Sequence, residues 1–318
     1  MEGESQRANQ HNEIEKLIII GGGPAAYSAA IYGIRSGLNP LIFAGYEHGG
    51  QLLLTTYVED FPSYPSILGP DLMKKMEDHV VKLGGRIVFK DAEKVDLSSY
   101  PFKVSCEGKD YFSYSLIIAT GAKPRWLGLP NEQRLIGKGV SNCAVCDGFF
   151  FKGKKVAVVG GGDTAMEDAS YLANLASEVY LIHRRDTFRA VEYRQEKVKS
   201  NPKIKIIYNS VVTDVLGNEK VEGIKIKNLI TGEEQDLEIQ GLFVAIGHDP
   251  NTALFKGQLE MDNNGYIITT EFTKTSKEGV FAAGDVVDKK YRQAIVAAGW
   301  GAMAALDARE YLSNKKLN

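Results

Sequence analysis

Twice along this chain, a short apolar run rich in β-branched residues stops at three consecutive glycines and gives way to a helix-forming segment. The first instance is Lys16–Ile20, the turn Gly21–Ala26 (Gly-Gly-Gly-Pro-Ala-Ala) and the Ala-, Ile- and Tyr-rich stretch Tyr27–Ser36. The second is Lys155–Val159, the turn Gly160–Ala165 (Gly-Gly-Gly-Asp-Thr-Ala) and Met166–Ala176. A further strand follows each helix, at Pro40–Phe43 and at Glu178–Ile182. Strand, turn, helix and strand make a βαβ unit, which implies a parallel sheet. The expectation is an α/β protein with two Rossmann-like, three-layer nucleotide-binding domains. Its 318 residues suffice for two domains of the usual roughly 100–200.

The chemistry of such a turn is specific. In Gly-x-Gly-x-x-Gly/Ala the first glycine allows the tight turn and the second lets backbone approach a pyrophosphate. The third small residue lets helix and strand pack closely. The helix N-terminus then presents unpaired N–H groups and a partial positive charge to the phosphates. One match also serves simple packing, whereas two, each set between strand and helix, point to two dinucleotides.

The ends of the second strands separate the two sites. After the second fingerprint that strand ends in His183-Arg184-Arg185, with Arg189 close behind. Arginines there clamp a 2′-phosphate, where a carboxylate would take a ribose hydroxyl, so this site favours NADPH over NADH. The bland alternative is a solvated basic cluster. After the first fingerprint the strand ends at Phe43-Ala44; the usual carboxylate is missing, Glu47 is the nearest candidate, and no arginine stands there. Local reasoning leaves that ligand open.

Other elements follow from alternation and turns. Phe102–Cys106 and Tyr111–Tyr114 flank Glu107-Gly108-Lys109, and Val221–Ile230 and Gln235–Ile239 flank Thr231-Gly232-Glu233. Both are expected as antiparallel hairpins attached to a parallel sheet. Ala294–Leu312 is expected as a helix after the strand and glycine turn of Gly279–Asp285.

Composition narrows the function. With 38 Lys and Arg against 40 Asp and Glu the net charge is −2, and a nucleic-acid binder would carry a positive surplus. Met1–Lys16 holds no apolar run resembling a signal-peptide core, and no stretch approaches the ~20 apolar residues of a membrane span. A cytoplasmic, soluble protein with a mobile tail over its first fifteen residues is expected. Three cysteines do not make a disulfide-scaffolded secreted protein.

Two of those cysteines carry the chemistry. Cys143-Ala-Val-Cys146-Asp147-Gly148 brings two sulfurs within disulfide reach. A tetrahedral zinc site needs about four ligands, and no histidine stands at ligand spacing to the pair, so no metal is expected. Two inert buried thiols remain an alternative. Asp147 beside the pair suggests a proton donor to a departing thiolate. Cys106, inside a hairpin strand, reads as a small core residue. Nicotinamide donates two electrons as hydride and a disulfide accepts two; a flavin is the usual broker, so chemical need places FAD at the first fingerprint.

Together with Gly49–Leu52, Ala119–Gly121, Ala245–His248, Gly279–Val286 and Tyr291–Ala294, these motifs occur in one order along nearly the whole chain. In that combination the sequence resembles the low-molecular-weight thioredoxin reductases of bacteria, plants, fungi and protists. The resemblance implies an FAD domain, 1–121 plus 252–318, split by an NADPH domain at 122–251 that carries the Cys pair. FAD would be held by Gly21, Gly23, Pro24, Ala25, Ala26, Gln51, Thr56, Asp60, Ala119, Thr120, Gly121, Gly284, Asp285, Arg292, Gln293 and Ala294. NADPH would be held by Gly160, Gly162, Asp163, Thr164, His183, Arg184, Arg185, Arg189 and Ile246.

The resemblance further implies thioredoxin as protein substrate, a homodimer, Cys143 and Cys146 as the redox pair with Cys146 facing the flavin, and Asp147 as acid. Because dithiol and NADPH share one domain and need one flavin, that domain is expected to rotate between two states. The hinges would lie at about Gly121–Pro124 and His248–Asn251. The sequence departs from the family at Ala26 (commonly Gly), at Leu53-Leu-Thr-Thr56 (a threonine run), at Asp60 (commonly Asn) and at the Ala-Val spacer (commonly Ala-Thr). None removes a reacting group. A hydroperoxide-reductase flavoprotein carries an additional N-terminal docking domain, a fungal-type dithiol oxidase lacks the arginine clamp, and a non-turning-over flavin sensor does not need Cys-x-x-Cys-Asp.

Overall fold

The computed structural model describes residues 14–55 and 57–317. Most of the expected N-terminal tail therefore lies outside the described residues, and Glu15 already opens the first strand. The chain divides into two compact units, one of Met1–Leu53, Gly69–Ala122 and Pro250–Asn318, the other of Leu54–Leu68 and Lys123–Asp249. Most of the second unit is thus inserted within the first. The segment Leu54–Leu68 groups with the second unit, where the sequence reading ran the first domain unbroken to 121.

The first unit is built on a seven-stranded sheet. Arg86–Val88, Leu41–Phe43, Glu15–Ile20 and Lys109–Ile118 run parallel, in that spatial order. The ten-residue strand Lys109–Ile118 shares its far edge between two partners. Phe102–Cys106 pairs antiparallel with 109–113, and Val280–Ala282 pairs parallel with 116–118. Leu17–Ile20 is buried on both faces, which explains why it reads as an unbroken apolar run rather than an alternation. Leu17 and Ile19 pack against Ala26, Ala29 and Ala30 of helix Pro24–Arg35 and Ala304 and Ala305 of helix Ala294–Asn314. Ile18 and Ile20 face Phe102, Val104 and Phe255 on the opposite side. Full burial of each such side chain is worth about 1.5–3 kcal/mol.

The second unit repeats the plan with five parallel strands, in the order Val140–Ser141, Gly241–Ala245, Lys155–Gly160, Glu178–Ile182 and Ile204–Ile207. Helices Asp163–Ala173 and Glu192–Lys199 supply Ala165, Met166, Ala169, Leu172 and Val198 to one face. The other face is covered by a three-stranded antiparallel sheet, Ser210–Leu216, Gly223–Asn228 and Glu234–Glu238. Its Val212, Val215, Ile224 and Ile226 pack on Ala157, Val159, Ile182 and Val244. This corrects the expectation for the second hairpin: it is no extension of the parallel sheet but part of a separate layer over it. The Phe102–Lys109 hairpin does join its parallel sheet as expected. The two passages of chain between the units, Ala122–Pro124 and His248–Pro250, pair with each other as a two-stranded sheet.

Candidate active site

In the first unit, the glycine turn sits where the sheet and helix Pro24–Arg35 leave no room for a side chain. Gly21 has φ +135°, and a Cβ there would lie 2.2 Å from the Ala119 carbonyl oxygen. Gly23 caps the helix without a side-chain hydrogen bond, and a Cβ on it would meet nothing within 4 Å. Open space in front of uncapped helical N–H groups is an anion cradle. Ala25 and Ala26 are buried in the helix, Pro24 takes its first position, and Ala26 packs in the core.

Ala119, Thr120 and Gly121 leave the end of strand Lys109–Ile118, next to that turn. The turn Gly284–Val286 follows strand Val280–Ala282, and its Gly284 lies against Ala25. Burial pushes the Asp285 carboxyl up to about 7, with Asp288 adding and Arg292 opposing. Asp288, which the sequence reading did not single out, organises the next loop by accepting the backbone N–H groups of Lys290, Tyr291 and Arg292 at 2.8–2.9 Å. That loop delivers Arg292, Gln293 and Ala294 to the start of helix Ala294–Asn314, with Gln293 at the cap. Gln51 lies in the turn Gly50–Leu54. Thr56 lies outside the described residues, and Asp60 falls in the segment grouped with the second unit.

In the second unit Gly162 caps helix Asp163–Ala173 with open space beside it, as Gly23 does. Thr164 is half-buried at the start of that helix, and Gly160 ends strand Lys155–Gly160 against the Ala245 carbonyl. His183 is 6% exposed and lies directly beneath the turn: a Cβ on Gly161 would stand 2.1 Å from the imidazole. Burial, reinforced by Arg185 and Arg189, lowers its pKa against hydrogen bonds with Thr187 and Gly160, and Nε2 lies 3.0 Å from the Thr187 carbonyl. His183 is therefore a floor for the turn. Arg184, Arg185 and Arg189 are exposed and have no side-chain hydrogen bond or ion pair among the described residues. Exposed guanidinium groups with no ion pair among the described residues are available to a phosphate dianion. Ile246 is half-buried just after strand Gly241–Ala245 and packs against the core between the two sheets of this unit.

The cysteine pair occupies the same unit. Cys143 and Cys146 form a disulfide across the one-turn helix Ala144–Asp147, with Cα atoms 5.4 Å apart. Cys143 caps that helix, its sulfur accepting the Cys146 N–H at 3.2 Å. Ser141, absent from the sequence-derived site, accepts the Cys143 N–H at 3.0 Å. The Asp147 carboxyl is held above its ordinary pKa chiefly by burial; a hydrogen bond from Ser141 acts against this and the Asp60 charge adds to it. A carboxyl that keeps its proton more readily, following Cys146 in the same helical turn, is suited to protonating a leaving thiolate. Cys106 is a free, buried thiol at the end of strand Phe102–Cys106, as its core reading expects.

Sequence reasoning also missed contacts made only by folding. Thr120 and Asn251, 131 positions apart, hydrogen-bond each other. Asn142 lies 3.4 Å from His248, and Arg194 reaches both Asp163 and Glu167. No local pattern marks these; a pairing of charges across 27 or 31 positions is invisible without the fold.

The sequence matches the pyridine nucleotide-disulphide oxidoreductase family over residues 15–301. A thioredoxin reductase of Rickettsia bellii is 54% identical over 304 residues, covering 94% of this chain and 98% of that protein. Among solved structures, a thioredoxin reductase from Giardia duodenalis superimposes with TM-score 0.90 at 45% identity, over 94% of this chain and 98% of that one. One from Streptococcus pyogenes gives 0.90 at 39% identity, over 95% and 99%. The chain belongs to the pyridine nucleotide-disulphide oxidoreductase family.

Proposed function

We propose that this protein is an NADPH-dependent thioredoxin reductase, a flavoprotein that reduces the disulfide of thioredoxin through Cys143 and Cys146 and so maintains thiol redox balance. The observation that carries the reading is the Cys143–Cys146 disulfide followed by Asp147, in the unit that also bears Arg184, Arg185 and Arg189. The names of the matched relatives support the choice of partner.

The residues present suit both nucleotides. The open turn at Gly23, the close-packed Gly21 and the buried Asp285 would hold FAD. The open turn at Gly162 and the cations Arg184, Arg185 and Arg189 would hold NADPH. The chemistry these nucleotides supply when bound is a two-electron path from nicotinamide through flavin to a disulfide.

Within the chain, reduction breaks the Cys143–Cys146 bond and leaves two thiols. One sulfur, as thiolate, attacks the thioredoxin disulfide and forms a mixed disulfide; the other displaces it, which restores Cys143–Cys146 and releases thioredoxin as a dithiol. Asp147 gives its proton to the departing thiolate. Cys146 is the sulfur assigned to the flavin side. The second unit turns about the paired strands Ala122–Pro124 and His248–Pro250 to serve both nicotinamide and partner.

The working form is a homodimer in the cytoplasm, a reading that rests on the family resemblance. No helix among the described residues is long and apolar enough to cross a membrane. The test is stopped-flow: NADPH bleaches the flavin, and thioredoxin restores its colour. Faster bleaching by NADH, or no recovery with thioredoxin, contradicts the reading. Cross-linking the units in one orientation should stop turnover while leaving one half-reaction.

A further inference from the structure

The helix whose N-terminus faces the second glycine turn begins with an acid. Asp163 occupies its first position, and Glu167 lies one turn further on the same side. Both are carboxylates at the end of a helix that should attract a pyrophosphate, and each opposes it by like charge. The structure supplies a counter-charge from another element. Arg194, on helix Glu192–Lys199, places one guanidinium nitrogen 2.7 Å from Glu167 and another 3.7 Å from Asp163. Its Nε donates to the Tyr193 hydroxyl at 2.8 Å, which fixes the fork.

The segment that carries Arg194 is stitched to the turn. The Val191 N–H donates to Asp163 Oδ1 at 2.9 Å, and the Arg189 N–H donates to the Gly161 carbonyl at 2.8 Å. Gln195 Nε2 donates to the Ala190 carbonyl at 2.7 Å. Asp163 therefore turns its carboxylate away from the helix's own N–H groups and onto 191 and 194, so what it offers a nucleotide at this turn is its backbone and not its carboxylate. The cradle is left free for a ligand.

We propose that Arg194 is a positioning residue for the dinucleotide: it cancels the charge of Asp163 and Glu167, so that the start of helix Asp163–Ala173 remains an anion site. The ligand class is a dinucleotide pyrophosphate, so NADP⁺ and NAD⁺ are affected alike, whereas Arg184, Arg185 and Arg189 act on the 2′-phosphate alone. The inference rests on the reading of this turn as the NADPH site.

The experiment is calorimetric binding of NADP⁺ and NAD⁺ to the flavin-loaded enzyme at low and high salt. Arg194→Met should weaken both nucleotides on the order of fivefold at low salt. The loss should shrink at high salt, because an exposed charge is screened. Asp163→Asn in the Arg194→Met background should restore most of the affinity, since asparagine still accepts the Val191 N–H but carries no charge. In turnover, KM for NADPH should rise while kcat holds. Equal affinity of wild type and Arg194→Met at low salt overturns the inference alone, as does a loss that is insensitive to salt and not rescued by Asp163→Asn. A wild type that binds neither nucleotide overturns the underlying reading, and this inference with it.

Discussion

Thr120 and Asn251 hold each other by two reciprocal hydrogen bonds, Thr120 Oγ1 donating to the Asn251 carbonyl at 2.7 Å and Asn251 Nδ2 to the Thr120 carbonyl at 2.8 Å. A third bond runs from the Asn251 N–H to the Gly121 carbonyl at 2.9 Å. The chain leaves the first unit after Ala122 and re-enters it at Pro250, so these bonds clamp exit to entry. Asn251→Ala removes one donor and leaves the half-buried Thr120 carbonyl short of a partner. It should cost about 1–2 kcal/mol, read as a lowered midpoint in urea. An unchanged midpoint would show that the clamp is not stabilising.

The arginine cluster should decide the nucleotide. Replacing Arg185 and Arg189 together by Ala removes two charge-assisted donors to a 2′-phosphate, each worth about 1.5–3 kcal/mol. KM for NADPH should rise at least tenfold, with little change for NADH. Steady-state kinetics with both nucleotides checks this. Equal losses for the two would place the cluster elsewhere than at the 2′-phosphate.

Asp147 should set the alkaline limb of the pH profile. Its raised pKa means that the proton-donating form persists to higher pH than for an ordinary aspartate and is lost as pH rises further. Asp147→Asn should slow thioredoxin reduction by roughly a hundredfold and flatten that limb. Flavin reduction by NADPH should stay at the wild-type rate. Thioredoxin assays across pH, beside single-turnover flavin reduction, measure the two effects separately.

Asp285 makes the opposite kind of claim, about stability. In the folded protein its carboxyl titrates at about 7, against about 3.9 in an unfolded chain. Between those values the folded form binds more protons than the unfolded one, so stability falls as pH rises from about 4 to about 7 and then levels off. The loss is at most roughly 4 kcal/mol. Asp285→Asn, freed of nucleotide, should therefore melt above the wild type at pH 8 and alongside it at pH 4. Coincident melting at both pH values would remove Asp285 from the account.

The parts of this fold legible in the sequence are those whose signal is local. Strand Glu178–Ile182 matches its expected bounds, and helix Pro24–Arg35 starts three residues earlier than expected because Gly23 caps it. Strand Ser210–Leu216 escaped notice because its pairing slips between Val212 and Asp214, which breaks the alternation a strand should show. Without it the next hairpin has no sheet of its own, and its pattern alone attaches it to the parallel sheet and not to a separate layer. The glycine turns and the Cys pair are read from spacing alone. Ser141, Asp288, Asn251 and Arg194 act through partners brought close only by folding, or through backbone atoms that no residue pattern reveals. His183 shows the converse: its place in a motif suggests a ligand contact, while its burial under Gly161 makes it a support.

The central claim is that NADPH electrons arrive at two particular sulfurs. Anaerobic incubation of the flavin-loaded protein with NADPH, followed by alkylation and peptide mass analysis, tests it directly. The account predicts that Cys143 and Cys146 are unmodified before NADPH and both labelled after it, with buried Cys106 unchanged. A Cys143–Cys146 disulfide that survives NADPH in a protein whose flavin has been bleached would contradict it.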